Sequence, residues 1–198
     1  MINNSNTRSV AVRTAFFPFV LNFTHIRLYA FVSIFVALDV AIPWALHQVH
    51  PLSGSTFLPM FFFALMAGLL LGWRVGLLVG FLSPILSFGI SGMPVAGLLP
   101  QVIAQNSLLG LTAGLLYGTF RLNIVSSLLA AIIASRQAQV LVIFIFSFNE
   151  VNPATAVWQT VQLGWPGIAI QVIILPPIII ALNHWLAKRP SEGKNDRR

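Results

Sequence analysis

The stretch from Phe57 to Tyr117 contains one charged residue, Arg74, and is otherwise apolar, rich in glycine or weakly polar. Its two apolar runs, 57–73 and 75–90, are each about as long as a helix that crosses the hydrocarbon core of a bilayer. Small residues recur in it at every fourth position, a spacing that lets helix backbones approach closely in lipid. These residues are Ala64, Gly68, Gly72, Gly76, Gly80, Gly110, Gly114 and Gly118. The stretch therefore predicts a compact bundle of membrane helices.

The composition of the whole chain supports the same class of protein. Hydrophobic residues make up 57% of the 198 residues and charged residues 8%, which is outside the range of soluble domains. The net charge of +7 does not indicate a nucleic-acid partner, because the basic residues form no patch interleaved with aromatic side chains. Cysteine is absent, which excludes a disulfide framework and a thiolate metal site.

Six apolar segments predict an all-α integral membrane protein, a bundle of six transmembrane helices over residues 27–187. The predicted spans are 27–48, 57–73, 75–90, 99–120, 122–147 and 160–187. Residues 1–26 are predicted to form a cytoplasmic or interfacial lead-in, and residues 188–198 a basic cytoplasmic tail.

The positions of the basic residues predict the orientation of this bundle. Arg74, Arg121 and the tail fall on one side of the membrane, whereas the alternate loops at 47–56, 91–100 and 148–158 carry no Lys or Arg. By the positive-inside rule, both termini are expected in the cytoplasm. The five tryptophans lie near predicted span ends, as an interfacial aromatic belt requires.

Asp39 and Arg136 are the two charges that fall well inside predicted spans. A charge at the centre of a bilayer costs about 2.5–3.5 kcal/mol on insertion scales, so each needs a physical reason to be there. One alternative is a structural ion pair between the first and fifth spans. The other is that one or both side chains face a bound ligand, which is the favoured interpretation for Arg136.

Four glutamines fall at a similar predicted depth. Gln101 and Gln105 share one face of the fourth span, and Gln139 shares a face of the fifth span with Arg136. Gln171 lies in the sixth span. Together these side chains predict a ring of amides and one guanidinium that binds a neutral or anionic small molecule. Hydrogen bonding between helices is the alternative explanation for each single glutamine.

Small residues at four-residue spacing also mark the first span: Ser33, Ala37, Ala41 and Ala45. Asp39 points away from them, because two positions correspond to about 200° around a helix. If Asp39 faces the interior of the bundle, the small residues face outward, where they can dock another membrane helix or meet lipid.

The sequence contains no catalytic constellation. The four histidines are scattered, and Asp39 and Glu150 are the only acids before the tail. A phosphate-binding GxxxxGK[ST] loop is excluded because the first lysine is Lys188 and no later position fits. The chain is therefore predicted to be no enzyme, with no cofactor and no bound metal, and any energy for transport must come from a partner or a gradient.

Between Ala30 and Leu182, the chain resembles the substrate-binding S components of energy-coupling factor (ECF) transporters, which are small six-span proteins that capture vitamins. The resemblance rests on FLPMFFFALMAGLLLG (57–72), GLLVGFLSPILSFGISGMP (76–94), the PQVIAQ and GLTAGLLYG segments within 100–118, Arg136, and WPGIAIQVIILP (165–176).

This resemblance implies a vitamin site near the outer surface, in a protein of a bacterial or archaeal cell membrane. Met93 and Trp165, which lie in two of these segments, are further candidate ligand contacts. The resemblance also implies a complex with a membrane coupling protein and two cytoplasmic ATPases, with Ala37 and Ala41 in the docking surface. The chain departs from the closest-looking sequences at Phe61 and Gln105, where a histidine and an acid are common, so the resemblance does not name the ligand.

Two other classes compete with a capture protein. The first is a structural or assembly protein of the cell-shape type, resembling MreD. In such a protein, a ring of polar side chains at one depth would have no function. The second is an intramembrane enzyme, which the missing catalytic groups disfavour. Fold alone does not separate these classes, so the site has to do so.

Overall fold

A computed structural model describes residues 26–49, 59–146 and 152–187, and within these ranges every regular element is helical. The α-helices are α1 (Ile26–Val49), α2 (Pro59–Leu71), α3 (Trp73–Ser91), α4 (Leu99–Gly114), α5 (Ile124–Phe146) and α6 (Pro153–Ala187). A 3-10 turn at Ala96–Leu98 precedes α4, and a π-turn at Leu115–Thr119 continues it. The predicted lead-in (except Ile26), the predicted tail and parts of the loops 47–56 and 148–158 lie outside the described residues.

The last helix begins earlier than the apolar pattern predicts. Residues 153–158 were expected in a loop, but α6 starts at Pro153. Proline at the first helical position has no amide hydrogen left unsatisfied there, and Asn152 caps the helix by accepting a hydrogen bond from the backbone N–H of Ala154 at 3.0 Å. Capping, rather than hydropathy, therefore decides this boundary.

Helices α2 and α3 are separated by one residue, Gly72. Its φ of 91° lies in the region that favours glycine, and its neighbours Leu71 and Trp73 are already helical. The Arg74 guanidinium lies 4.9 Å from the centre of the Trp73 ring. A single glycine thus replaces the three-residue turn that the sequence predicted over residues 72–74.

Glycines set the register of α2, α3 and α4. A Cβ atom on Gly76 would collide with the backbone of Gly110, and a Cβ on Gly110 would collide with that of Gly76. Gly80 lies in the same way against the backbone of Asn106, and Gly114 against that of Trp73. Because rising numbers on α3 meet falling numbers on α4, the two helices are antiparallel. The predicted close approach of backbones is confirmed here, although Gly118 has no such neighbour.

Two apolar cores lie on opposite sides of α2. The first joins α1 to α2 and α3, and includes Leu28, Val36, Ala64, Val75 and Val79. The second joins α2 to α4, α5 and α6, and includes Leu65, Leu109, Ala113, Leu128 and Leu175. Helix α1 therefore packs chiefly on α2 and α3, which leaves its opposite face exposed.

Four of the described helices are long and apolar enough to cross a membrane: Ile26–Ala45, Trp73–Ser91, Ile124–Phe146 and Ala154–Leu182. Helix α2 is apolar but shorter, and α4 carries Gln101, Gln105 and Asn106 within its 16 residues. The all-helical membrane architecture is confirmed, while six crossings and their orientation stay predictions. Below, "the Met93 end" is the end of the bundle that carries residues 92–98, and "the Arg121 end" is the end that carries Gly72 and residues 120–123.

Candidate functional site

Arg136 belongs to a chain of hydrogen bonds that joins α5 to α6. Its Nη1 donates to Oε1 of Gln139 at 3.3 Å, and Nε2 of Gln139 donates to Oγ1 of Thr160 at 2.9 Å. The Thr160 hydroxyl donates in turn to the backbone carbonyl of Ala156 at 2.8 Å. Gln139 is fully buried, whereas Arg136 is partly exposed. A hydrogen bond thus joins Arg136 and Gln139, both of which are predicted site residues.

Asp39 lies in a separate place, between α1 and α3. Its carboxylate is fully buried beside the hydroxyl of Ser83. The two groups do not reach the geometry of a hydrogen bond, and both carboxylate oxygens lack a partner. Since neither oxygen of Asp39 has a partner in the described part of the chain, the ion pair with Arg136 considered from the sequence is not formed there.

A third group of polar side chains lies on α4. Gln105 and Asn106 are buried, and Gln101, one turn nearer the Met93 end, is partly exposed. The amide nitrogens of Gln105 and Asn106 and the amide oxygen of Asn106 have no hydrogen-bond partner in the described part of the chain. Buried polar groups are normally paired, so this cluster retains capacity for hydrogen bonds.

Some of the predicted polar site residues lie at one depth in the bundle, and others do not. At the helical rise, Asp39 and Arg136 each lie about 15 Å from the Met93-end terminus of their helix, and Gln105 lies about 9 Å from its own. Gln171 is buried but follows Thr160, the partner of Gln139, by about 16 Å of helix rise towards the Arg121 end. The structure therefore does not bring Gln171 to the level of Gln139.

The other candidates lie at the surface. Met93 is 44% exposed in the segment before α4, and Trp165 is 63% exposed on α6. On α1, Ala37 and Ala41 are exposed while Asp39 is fully buried, so the face of small residues points outward.

The residue patterns did not single out Thr160 or Ser83. The position of Thr160 could have been predicted from the capped start of α6. Thr160 lies seven residues after the first residue of α6, Pro153, and Gln139 lies seven residues before the last residue of α5, Phe146. Two side chains at equal distances from the same end of neighbouring antiparallel helices lie at one level. For Ser83 the sequence offers no comparable signal, because it depends on how α1 packs on α3.

No group of three or more His, Cys, Asp or Glu side chains that could hold a metal occurs among the residues that the structure describes. The donors at the Arg136 network are a guanidinium, an amide and a hydroxyl. Such a set offers hydrogen bonds and one positive charge to an organic ligand.

The fold and these side chains define a class, a small multi-pass membrane protein with polar groups held inside a helix bundle. The chain matches the family described as ECF transporter, substrate-specific component, over residues 27–179. It therefore belongs to the family of substrate-specific components of ECF transporters, which confirms the resemblance and does not favour the structural or assembly alternative. Comparison with curated proteins finds no match, and neither does comparison with solved structures.

Proposed function

We propose that the chain captures a vitamin-like small molecule from the outer side of a bacterial or archaeal cell membrane and delivers it to a coupling protein and two ATPases. Membership of the family supports a substrate-specific transport component that works with an ECF module. In this proposal residues 27–187 are the six-span membrane domain, flanked by the lead-in at 1–26 and the tail at 188–198.

Arg136 is the observation that carries the proposal. Its only hydrogen bond within the described ranges goes to a neutral amide, although a charge inside a membrane span is costly. A cation placed there without a counter-ion is typical of a residue that meets a ligand rather than one that only supports the fold. Gln101 and Gln105 lie on the neighbouring helix α4, and we propose them as further contacts.

Mass spectrometry of small molecules that co-purify with the protein tests this function. The detergent-solubilised protein, released by heat, is expected to yield one compound in near-stoichiometric amount, because capture proteins bind tightly enough to survive purification. A mock purification from the same membranes is the control. Absence of any enriched compound, from cells grown in a vitamin-rich medium, would reject the capture function.

The orientation of the bundle is part of the proposal and has its own test. The chain lacks cysteine, so a single introduced cysteine reports its own position. We expect Gly97→Cys, which is exposed with open space around it, to react with a membrane-impermeant maleimide in intact cells. Asn123→Cys, exposed at the Arg121 end, should react only after permeabilisation. Labelling of Asn123→Cys in intact cells would contradict cytoplasmic termini.

We also propose a docking surface on α1 for the membrane coupling protein. Ser33, Ala37, Ala41 and Ala45 are all exposed, at the spacing that allows a second helix to approach closely. The buried face of α1 is used by the first core, so the two faces have separate tasks.

A further inference from the structure

The direction of the hydrogen bonds around Gln139 follows from Thr160. The Thr160 hydroxyl has one proton, and it is donated to the carbonyl of Ala156 at 2.8 Å. Thr160 can therefore only accept from Gln139, which requires the amide nitrogen, not the amide oxygen, to face α6. The amide oxygen is then turned towards Arg136. Chemistry, rather than an arbitrary choice of amide rotamer, sets this orientation.

Both polar atoms of Gln139 already form hydrogen bonds inside the protein. Its oxygen accepts from Arg136, its nitrogen donates to Thr160, and the side chain is fully buried. This differs from the expectation that Gln139 contacts the substrate directly. The arrangement instead holds the guanidinium of Arg136 in one direction and ties α5 to α6.

Arg136 keeps donors for a ligand, and its charge has no counter-ion in the described part of the chain. Nη1 is held by Gln139, and Nε is covered and has no partner in the described part of the chain. Arg136 is partly exposed, and we assign the ligand contact to Nη2, which forms no hydrogen bond in the described part of the chain. The neighbour that orients the cation is neutral, and Asp39, the one described acid, does not pair with it.

We infer that Gln139 is a positioning residue that presents Arg136 to an anionic ligand, one that carries a carboxylate or a phosphate. The inference rests on the proposed function and narrows its substrate class. An oxyanion would supply the missing negative charge, and charge-assisted hydrogen bonds from arginine to carboxylate or phosphate are among the strongest in proteins. A neutral partner at Gln139 matters because a carboxylate there would neutralise the cation before the ligand arrives.

The test uses pairs of probes that differ chiefly in charge: nicotinate and nicotinamide, biotin and biotin amide, pantothenate and pantothenol, pyridoxal phosphate and pyridoxal. Binding to the full-length, detergent-solubilised protein is measured by titration, together with the charge of any co-purifying compound. For the pair that binds, the anion is expected to bind at least about tenfold more tightly than its neutral counterpart. The inference is overturned if the neutral member of a pair binds more tightly than the anion, or if the co-purifying compound is not an anion. Either result leaves the proposed capture function intact.

Gln139→Glu separates positioning from mere structural support. The new carboxylate occupies the same space but forms an ion pair with Arg136, so the ratio of anion to neutral affinity should fall towards one. Gln159→Glu is the matched control, because Gln159 is exposed beside Thr160 and should leave the ratio unchanged. A folded Gln139→Glu protein with the wild-type ratio overturns the inference. Should this variant not fold, Thr160→Val gives the readout: by freeing the Gln139 amide to turn, it should lower the ratio severalfold, and an unchanged ratio is the contrary result.

If none of the probes binds, the charge of the co-purifying compound tests the inference of an anionic ligand separately from the capture function. An anionic compound, displaced less readily by its own neutral derivative than by excess anion, supports the inference. A neutral or cationic compound overturns the inference alone. If neither a probe binds nor a compound co-purifies, the proposed function fails and the inference fails with it.

Discussion

Replacement of Arg136 by glutamine is expected to lower the affinity for the captured molecule roughly ten- to a hundredfold, with the helix bundle still folded. A hydrogen bond to a charged group contributes about 1.5–3 kcal/mol, which corresponds to that change in affinity. Folding should persist because no carboxylate in the described part of the chain is paired with Arg136, so the change removes no ion pair there. Calorimetric titration with the compound identified by mass spectrometry measures the loss.

Two variants make this expectation specific. Arg27→Gln removes an exposed positive charge near the start of α1 and should bind normally. The double variant Arg136→Gln/Asp39→Asn should show the sum of the two single effects, because residues that do not interact contribute independently. If Asp39→Asn instead restored a stability lost in Arg136→Gln, the two would form a buried ion pair, whose breakage costs about 3–5 kcal/mol. Wild-type affinity in the folded Arg136→Gln protein would remove Arg136 from the site.

The helical architecture could be predicted because hydropathy and glycine spacing act locally along the chain. The close packing at Gly76 and Gly110 could be predicted from the sequence, since only glycine allows the backbone contact that the structure shows. The start of α6 could not be read from hydropathy, because Asn152 and Pro153 determine it through capping. Helix α2 is short and α4 carries polar side chains, so the number of helices does not by itself give the number of membrane crossings.

The candidate site was harder to predict. The sequence gives the depth of a residue along its helix, but it does not give the neighbouring helix towards which the side chain points. Asp39 and Arg136 lie at the same depth, yet Asp39 lies beside Ser83 on α3 and Arg136 bonds to Gln139 on α5. Only the pairing of α5 with α6 shows that Gln139 donates to Thr160, and only the structure shows that Asp39 does not pair with Arg136. Of the ring predicted from depth, the structure thus shows one hydrogen-bonded network, which contains Arg136, Gln139 and Thr160.

The exposed face of α1 has a different physical character from these interior groups. Membrane helices associate through close packing instead of water exclusion, so a surface of small residues gains contact only if a partner backbone can approach it. Enlarging those side chains blocks the approach without disturbing the buried face, where Val36 and Asp39 lie. Capture and docking should therefore be separable by mutation.

Replacing both Ala37 and Ala41 by leucine is expected to abolish uptake and co-purification of the ATPases, while the captured molecule still binds with wild-type affinity. The leucines hold the partner helix away by the width of a side chain, which removes most of the close contacts on which association in lipid depends. Ala181→Leu is the matched control, since Ala181 is also exposed but lies on α6, and it should leave uptake intact. Uptake in cells and titration of the purified protein measure the two properties on the same variant. Normal uptake by the double leucine variant would place the docking surface elsewhere, and loss of ligand binding together with uptake would show that α1 supports the site instead.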